Sequence, residues 1–263
     1  MNDRVKTTVN GHVAEVRLDR ADKFNALDMP MFRALGEAAN RLAAESGLRA
    51  VVLHGAGDNF CAGIDVAMFA HPDFRIDAKM MQPVPGSHAN LFQRVAYAWR
   101  ELPVPVICAV QGITYGGGLQ IALGADLRYA APDARFSIME TKWGLIPDMA
   151  ISTTLRDIVR PDRLKELAWS ARIFDAPEAL ELGIVSAIHD DPLSAARDFA
   201  EDCAARSPEA IRGIKRLVND AWHLGEAEAL ALEAELQSGI MGSQNQAEAV
   251  RAAIEKRAAE FAD

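Results

Sequence analysis

Phe60-Cys-Ala-Gly-Ile-Asp65 and Tyr115-Gly-Gly-Gly-Leu-Gln120 are the two stretches whose reading decides the fold. Each sets glycine beside a predicted helix start. A backbone N–H can approach a ligand closely only where no Cβ intervenes, and the first turn of a helix leaves its N–H groups unpaired and partly positive. Two such turns converging on one oxygen form an oxyanion hole, which stabilises a carbonyl as it becomes an enolate. Taken singly, either segment also fits a tight turn or a close packing contact.

Outward from these segments the pattern is one of strand, turn and helix. Ala50 to His54 and Val104 to Val110 are short apolar runs of buried-strand type, each followed by a glycine and then one of the two segments. Earlier, Val5, Thr7 and Val9 alternate with polar residues, Asn10-Gly11 signals a two-residue hairpin, and Val13 to Leu18 returns the strand. Asp28 before Met29-Pro30 reads as a helix N-cap, with Met31, Leu35, Ala38, Ala39 and Leu42 at helical spacing until Gly47. The fold class is α/β. After about residue 190 the strand signals stop, and helical stretches follow at roughly 192–206, 208–223, 225–240 and 245–260. The chain thus divides into a core with the site, residues 1–190, and a helical oligomerisation region, 191–263. Ile211, Ile214, Leu217, Val218 and Trp222 form one apolar stripe there and Leu230, Leu232 and Leu236 another, more than a small helical unit buries alone, so subunit contact is expected. Ala70 to His88, with Pro72, Pro83, Pro85 and Gly86, is the longest irregular region, expected to form a mobile wall of the substrate pocket.

At 263 residues with 50% hydrophobic content, the chain is long enough for a substantial core. No apolar run approaches the ~20 residues that span a bilayer, so no membrane association is expected. Met1-Asn-Asp-Arg-Val-Lys-Thr-Thr has no apolar signal core, which makes the cytoplasm the expected compartment. Cys61, Cys108 and Cys203 are an odd, widely spaced set, arguing against a disulfide framework or a zinc site and for small buried thiols. The net charge of -9 disfavours nonspecific binding to nucleic acid. No HxxxH, no Walker loop and no GxGxxG in a phosphate-binding context occurs, so no metal or redox cofactor is implied.

Together the two glycine segments resemble the crotonase family of enoyl-CoA hydratases and isomerases. The resemblance covers nearly the whole chain, through Leu18-Asp-Arg-Ala-Asp-Lys-Phe-Asn-Ala-Leu27, Val51-Val-Leu-His-Gly55 and Phe136-Ser-Ile-Met-Glu-Thr-Lys-Trp-Gly-Leu-Ile-Pro-Asp148. It closes with Ser207-Pro-Glu-Ala-Ile-Arg-Gly-Ile-Lys215 and Glu255-Lys-Arg257. It implies a spiral of repeated ββα units with a C-terminal helical subdomain, assembled as trimers that often pair into hexamers. It also implies an acyl-CoA thioester substrate of fatty acid metabolism, with CoA part of the substrate and no separate cofactor. The oxyanion donors map onto the N–H groups of Ile64 and Gly117, and CoA contacts are expected at Lys23, Ala62 and Lys256. Coenzyme A is itself a polyanion, so local cations must oppose the global charge; Arg20, Lys23, Lys215, Arg216, Lys256 and Arg257 are the candidates, a solvated face being the alternative for each.

The chemistry turns on carboxylates, because a proton on the carbon beside a thioester is weakly acidic and needs a positioned base. Glu140 stands among Phe136, Ile138, Met139 and Trp143, an apolar shell that raises a carboxyl pKa. By resemblance it matches the second catalytic glutamate of hydratases and the single catalytic acid of several isomerases. Hydratases have another glutamate three residues after the middle glycine; here that residue is Gln120, which can orient water or substrate but cannot take a proton. Asp148 falls where dienoyl-CoA isomerases carry their second acid, although those enzymes usually have aspartate at the position of Gln120. A helix cap near Met149 is the competing role for Asp148. The expected function is a double-bond shift in an enoyl- or dienoyl-CoA. The alternatives are enoyl-CoA hydration, a lyase reaction through Glu140, and a non-catalytic acyl-CoA- or RNA-binding relative; the acidic charge and the lack of an aromatic-basic cluster argue against RNA.

Overall fold

A computed structural model describes residues 4–70 and 75–263. The first strands form a hairpin, β1 (Val5–Asn10) against β2 (Val13–Leu18), with Val5 opposite Leu18 and Asn10 opposite Val13. The two-residue turn is therefore Gly11-His12, one step later than Asn10-Gly11, and Gly11 takes the positive φ of 57° that such turns require. Asp28 caps α1 (Met29–Ala43) by accepting the Met31 N–H, and the helix buries Met31, Leu35, Ala38, Ala39 and Leu42 as their spacing predicts.

Three more strands extend β2 in parallel, β3 (Ala50–Gly55), β4 (Val106–Val110) and β6 (Leu127–Ala130), and the short β9 (Ala187–Ile188) closes a six-stranded sheet in the order β1-β2-β3-β4-β6-β9. A second sheet of three strands holds β5 (Ile113–Tyr115), β7 (Arg135–Ser137) and β8 (Phe174–Asp175). β4 and β6 pair in the first sheet while their successors β5 and β7 pair in the second. The same stacking extends one turn back at each step, through parallel bridges from Cys61 to Thr114 and from Leu27 to Ile64. Each turn of chain thus gives one strand to the large sheet, one extended segment to the small sheet and then a helix, among them α3 (Leu91–Glu101) and α4 (Gly117–Leu123). This is a spiral of ββα units. The buried runs of β3 and β4 have both faces covered, as parallel strands require.

The turns following the second segments carry α2 (Ala67–Ala70), α5 (Ile151–Thr154), α6 (Pro161–Ser170) and α7 (Ala176–Glu181). Helices occupy all four stretches expected after residue 190: α8 (Pro192–Ala204), α9 (Pro208–Ala221), α10 (Glu226–Ile240) and α11 (Gln244–Glu255). α8 lays Ala196, Ala200 and Ala204 on Val13, Ala50, Val52, Ile107 and Ala109, so the helical layer of the core continues to Ala204. The C-terminal end returns to the sheet. Arg49, buried, donates to the Ala204 and Phe261 carbonyls and to Asp263. α9 is fastened by Lys215, whose ammonium donates to the Trp99 and Val104 carbonyls and pairs with Asp126 at 2.7 Å. Its stripe is open: Ile214, Val218 and Trp222 are exposed, as is Leu230 of α10, whereas Leu232 is buried. Among the described residues, no helix is long and apolar enough to cross a membrane.

Candidate active site

The two glycine segments lie side by side. Cys61 N–H donates to the Ile113 carbonyl and Tyr115 N–H to the Cys61 carbonyl, both at 3.0 Å, which holds the strand before Gly63 against the strand before Gly117. The approach is close enough to need glycine. At Gly63, with φ of 86°, a Cβ would lie 2.7 Å from the Tyr115 carbonyl oxygen and 3.4 Å from the Gly117 nitrogen, and at Gly118 it would overlap the Cys61 carbonyl. Ile64 is set by Leu27, whose N–H donates to the Gly63 carbonyl and whose carbonyl accepts from Asp65. Gly117 opens α4, where the first turn has no intrahelical acceptor. Neither the Ile64 nor the Gly117 N–H meets a protein acceptor among the described residues.

Two residues hold this loop in place, Asn25, to which the sequence analysis assigned no role, and Arg20, read there as a candidate cation for coenzyme A. Asn25, fully buried and in the left-handed region at φ of 54°, donates through Nδ2 to the carbonyls of Ala56, Asn59 and Phe60. Arg20 donates to the Ala26 carbonyl and to Asp65 at 2.8 Å. Arg20 is therefore a brace of the Ile64 loop rather than a free cation for a nucleotide. Lys215 is likewise committed, buried against Asp126, while Arg216 pairs at the surface with Glu235 and Arg257 with Glu248 and Glu255. Asn25 had one visible signal, that asparagine tolerates left-handed backbone; the carbonyls it serves lie more than thirty residues on.

The segments open on a chamber of about 430 Å³ that brings together Lys23, Ala62, Ile64, Gly117, Glu140 and Asp148. Lys256, exposed beyond the end of α11, is not in its lining. A second, apolar chamber of about 280 Å³ adjoins the first, sharing Ile64, Leu145, Ile146, Asp148 and Met149. Its remaining lining is Phe32, Phe69, Ile76, Met81 and Phe92, with the Phe32 and Phe92 rings edge to face at 5.2 Å. Part of the expected Ala70 to His88 wall is thus in place through Ile76 and Met81; residues 71–74 of it lie outside the described residues. The exposed apolar run Leu145-Ile146, beside Glu140, was the readable signal for this second chamber.

Glu140 begins a 3-10 turn, Glu140–Trp143, and is only 9% exposed. Its Oε1 accepts from Gln120 Nε2 at 2.6 Å; its Oε2 is buried with no protein partner among the described residues. Burial pushes the Glu140 carboxyl above the usual carboxylate range, the nearby backbone amides of Glu140 and Met139 and the Gln120 bond pull it partly back, and the negative charge of Asp148 raises it again. Gln120, 1% exposed, also accepts the Met149 N–H at 2.8 Å. Expected to orient water or substrate, its carboxamide instead joins Glu140 to the Asp148–Met149 peptide.

Asp148 does not cap a helix. α5 starts at Ile151, its N-cap is Ala150 at φ of 69°, and no side chain accepts from the N–H groups of its first turn. The backbone stays irregular from the left-handed Gly144 to Ala150, which places Asp148 on the shared wall of the two chambers. Its side chain is exposed at the mouth, yet loss of water around the carboxyl still raises its pKa. Cys61 and Cys108 are buried free thiols and Cys203 is half-buried, and burial pushes Cys61 up to about 12. No three His, Cys, Asp or Glu side chains among the described residues are grouped to hold a metal ion.

The sequence matches the family described as enoyl-CoA hydratase/isomerase over residues 8–263. It is 33% identical to the mitochondrial Delta(3,5)-Delta(2,4)-dienoyl-CoA isomerase of Mus musculus, covering 95% of this chain and 79% of that protein. With the short-chain-enoyl-CoA hydratase of Clostridium acetobutylicum it shares 29% identity over 94% of this chain and 93% of the relative. The solved structure of an enoyl-CoA hydratase from Bacillus anthracis superposes with a TM-score of 0.88 at 27% identity, 98% of each chain being covered. A match that runs from residue 8 to the end of the chain, on a spiral of ββα units, makes this protein a member of the enoyl-CoA hydratase/isomerase family, with the crotonase fold.

Proposed function

We propose that the protein isomerises a dienoyl-CoA thioester by moving a proton between two carbons of the conjugated chain. The observation that carries this reading is the placement of Asp148: it lines both chambers, whereas Glu140 lines only the one at the glycine segments. With the thioester oxygen between the Ile64 and Gly117 N–H groups, the acyl chain runs past Asp148 into the apolar chamber. One carboxylate then faces the carbon near the thioester and the other a carbon further along.

In the step itself, the ionised member of the pair takes a proton from carbon, and the electron pair left behind delocalises onto the thioester oxygen as an enolate held by the two N–H groups. The protonated member returns a proton at the distant carbon, and the electrons flow back into the shifted double bonds. The two acids have then exchanged protonation, which proton exchange with solvent at the exposed mouth resets. Lys23 and Ala62 stand where the CoA moiety enters, and CoA, as part of the substrate, is the only coenzyme this reading assigns. The exposed stripe of α9 supports assembly into a trimer or hexamer.

Enoyl-CoA hydration is the second reading. It is favoured by the likeness to hydratases, and disfavoured because position 120 carries an amide, which cannot accept a proton from water. Ultraviolet spectroscopy separates the two. A 3,5-dienoyl-CoA converted to its 2,4-conjugated isomer gains long-wavelength absorbance, while a hydrated enoyl-CoA loses absorbance. Rapid hydration of a short enoyl-CoA with no change in the dienoyl thioester would overturn the isomerase reading.

A further inference from the structure

We propose that Gln120 is a positioning residue: its carboxamide bridges the two acid-bearing loops, fixing Glu140 Oε1 and the Met149 backbone and so the placement of both acids. The inference rests on the isomerase reading for the identity of the reaction, and on the geometry alone for the role of the side chain. Gln120 is buried in α4 and is not among the residues lining either chamber, so it touches no substrate. Its orientation is determined by its two partners. A carboxylate only accepts and a backbone N–H only donates, so Nε2 must face Glu140 and Oε1 must face Met149, at 2.6 and 2.8 Å. One rigid helical side chain therefore sets the separation between Glu140 and the peptide that follows Asp148. It also ties both to the helix whose first residue is Gly117, the second oxyanion donor.

The role predicts a split that a merely structural residue would not show. In Gln120→Met, which keeps the apolar stem and removes both bonds, kcat should fall roughly 10- to 100-fold through misplacement of the acids, with KM nearly unchanged because the chamber lining is intact. The limb of the pH profile that reports Glu140 should move to higher pH, since a donor to the carboxylate is lost; Asp148 is the charged neighbour that acts on Glu140 and stays in place. Gln120→Glu gives the rescue arm. Protonated, the introduced carboxyl donates O–H to Glu140 and accepts from Met149 as the amide does, so activity should recover towards the native level at acidic pH and fall as that group ionises. The titration of Glu140 is read directly by carbon NMR of protein labelled at the glutamate carboxyls, its signal assigned by its loss in Glu140→Gln. Where Gln120→Met fails to fold, the pH-dependent rescue in Gln120→Glu decides the matter. Native kcat and an unmoved Glu140 titration in Gln120→Met, or no acid rescue in Gln120→Glu, would overturn the proposal. A native protein that hydrates an enoyl-CoA but leaves the dienoyl thioester untouched refutes the isomerase reading instead, and the same variants still test the positioning role through hydration and the Glu140 signal.

Discussion

Glu140→Gln removes the ionisable group and leaves its hydrogen-bonding place filled. The introduced carboxamide presents a carbonyl oxygen to Gln120 Nε2 where Oε1 now accepts at 2.6 Å, and its nitrogen replaces Oε2, an atom with no protein partner among the described residues. A positioned general acid or base contributes about 10²- to 10⁴-fold, so kcat should fall by that factor, or roughly 3–5 kcal/mol of barrier. Stability should move the other way. Burial raises the folded Glu140 pKa above its reference value of 4.5, so the native state binds more protons than the unfolded chain between that value and the folded pKa. Glu140 therefore supports folding fully only below pH 4.5 and loses that support as pH rises through its folded pKa. The variant does not titrate there. Its stability relative to the native protein should rise with pH across this window, by about 1.4 kcal/mol for every tenfold change in the ionisation constant, or some 2–4 °C in Tm per kcal/mol. The check is a set of thermal melts from pH 5 to 8 beside absorbance-monitored turnover, read as the trend in the Tm difference. Near-native turnover, or a Tm difference independent of pH, would refute the assignment of Glu140 as the buried, charge-bearing acid.

Three further outcomes follow from the same geometry. Asp148→Asn should lower dienoyl isomerisation by roughly 10²-fold or more without lowering the melting temperature, because no helix cap is lost and the raised Asp148 pKa disfavours the ionised carboxyl in the fold; retained activity would leave Glu140 as the sole acid. Gly118→Ala places a methyl group on the Cys61 carbonyl, and should cost about 1–3 kcal/mol in denaturant unfolding and at least tenfold in kcat by pushing the two N–H donors apart; native values for both would contradict the close approach. Trp222→Glu together with Ile214→Glu should convert a trimer or hexamer into smaller species in light scattering, and point changes are the cleaner test because truncation would strip buried Arg49 of its Phe261 and Asp263 partners.

What the sequence made legible is local or repetitive. The runs of β3 and β4, the capped start of α1 and the glycine at the head of α4 each declare themselves within a few residues, and they suffice for α/β units in series. The stacking of those units is carried by backbone pairing between Leu27 and Ile64 and between Cys61 and Thr114, which side-chain patterns do not encode. Glu140 and Asp148 stood out by resemblance, and local rules alone assigned Asp148 to a cap that the irregular backbone up to Ala150 does not form. Lys215 shows the same limit. Beside a stripe of apolar residues it reads as a solvated cation, yet its partner Asp126 arrives from a turn of the spiral far back in the chain.

The amide at position 120 gains its meaning from these long-range contacts. A carboxylate there would face Glu140 at hydrogen-bond distance, and two acids so close titrate as a pair, one of them held protonated. A carboxamide puts an N–H at the same place, which partly offsets the burial of Glu140 and leaves no second acid sharing its proton there. The same exchange removes the group that would accept a proton from water. Abstraction of a proton from carbon needs no activated water, but a shift along a conjugated chain needs a second acid at a distance. Asp148 lines both chambers, shares no hydrogen bond with Glu140 among the described residues, and on the proposed reading is that acid. On the proposed reading, the change that weakens hydration is thus also the change that leaves Asp148 acting on Glu140 through charge alone, and removing that charge in Asp148→Asn should move the Glu140 limb of the pH profile to lower pH.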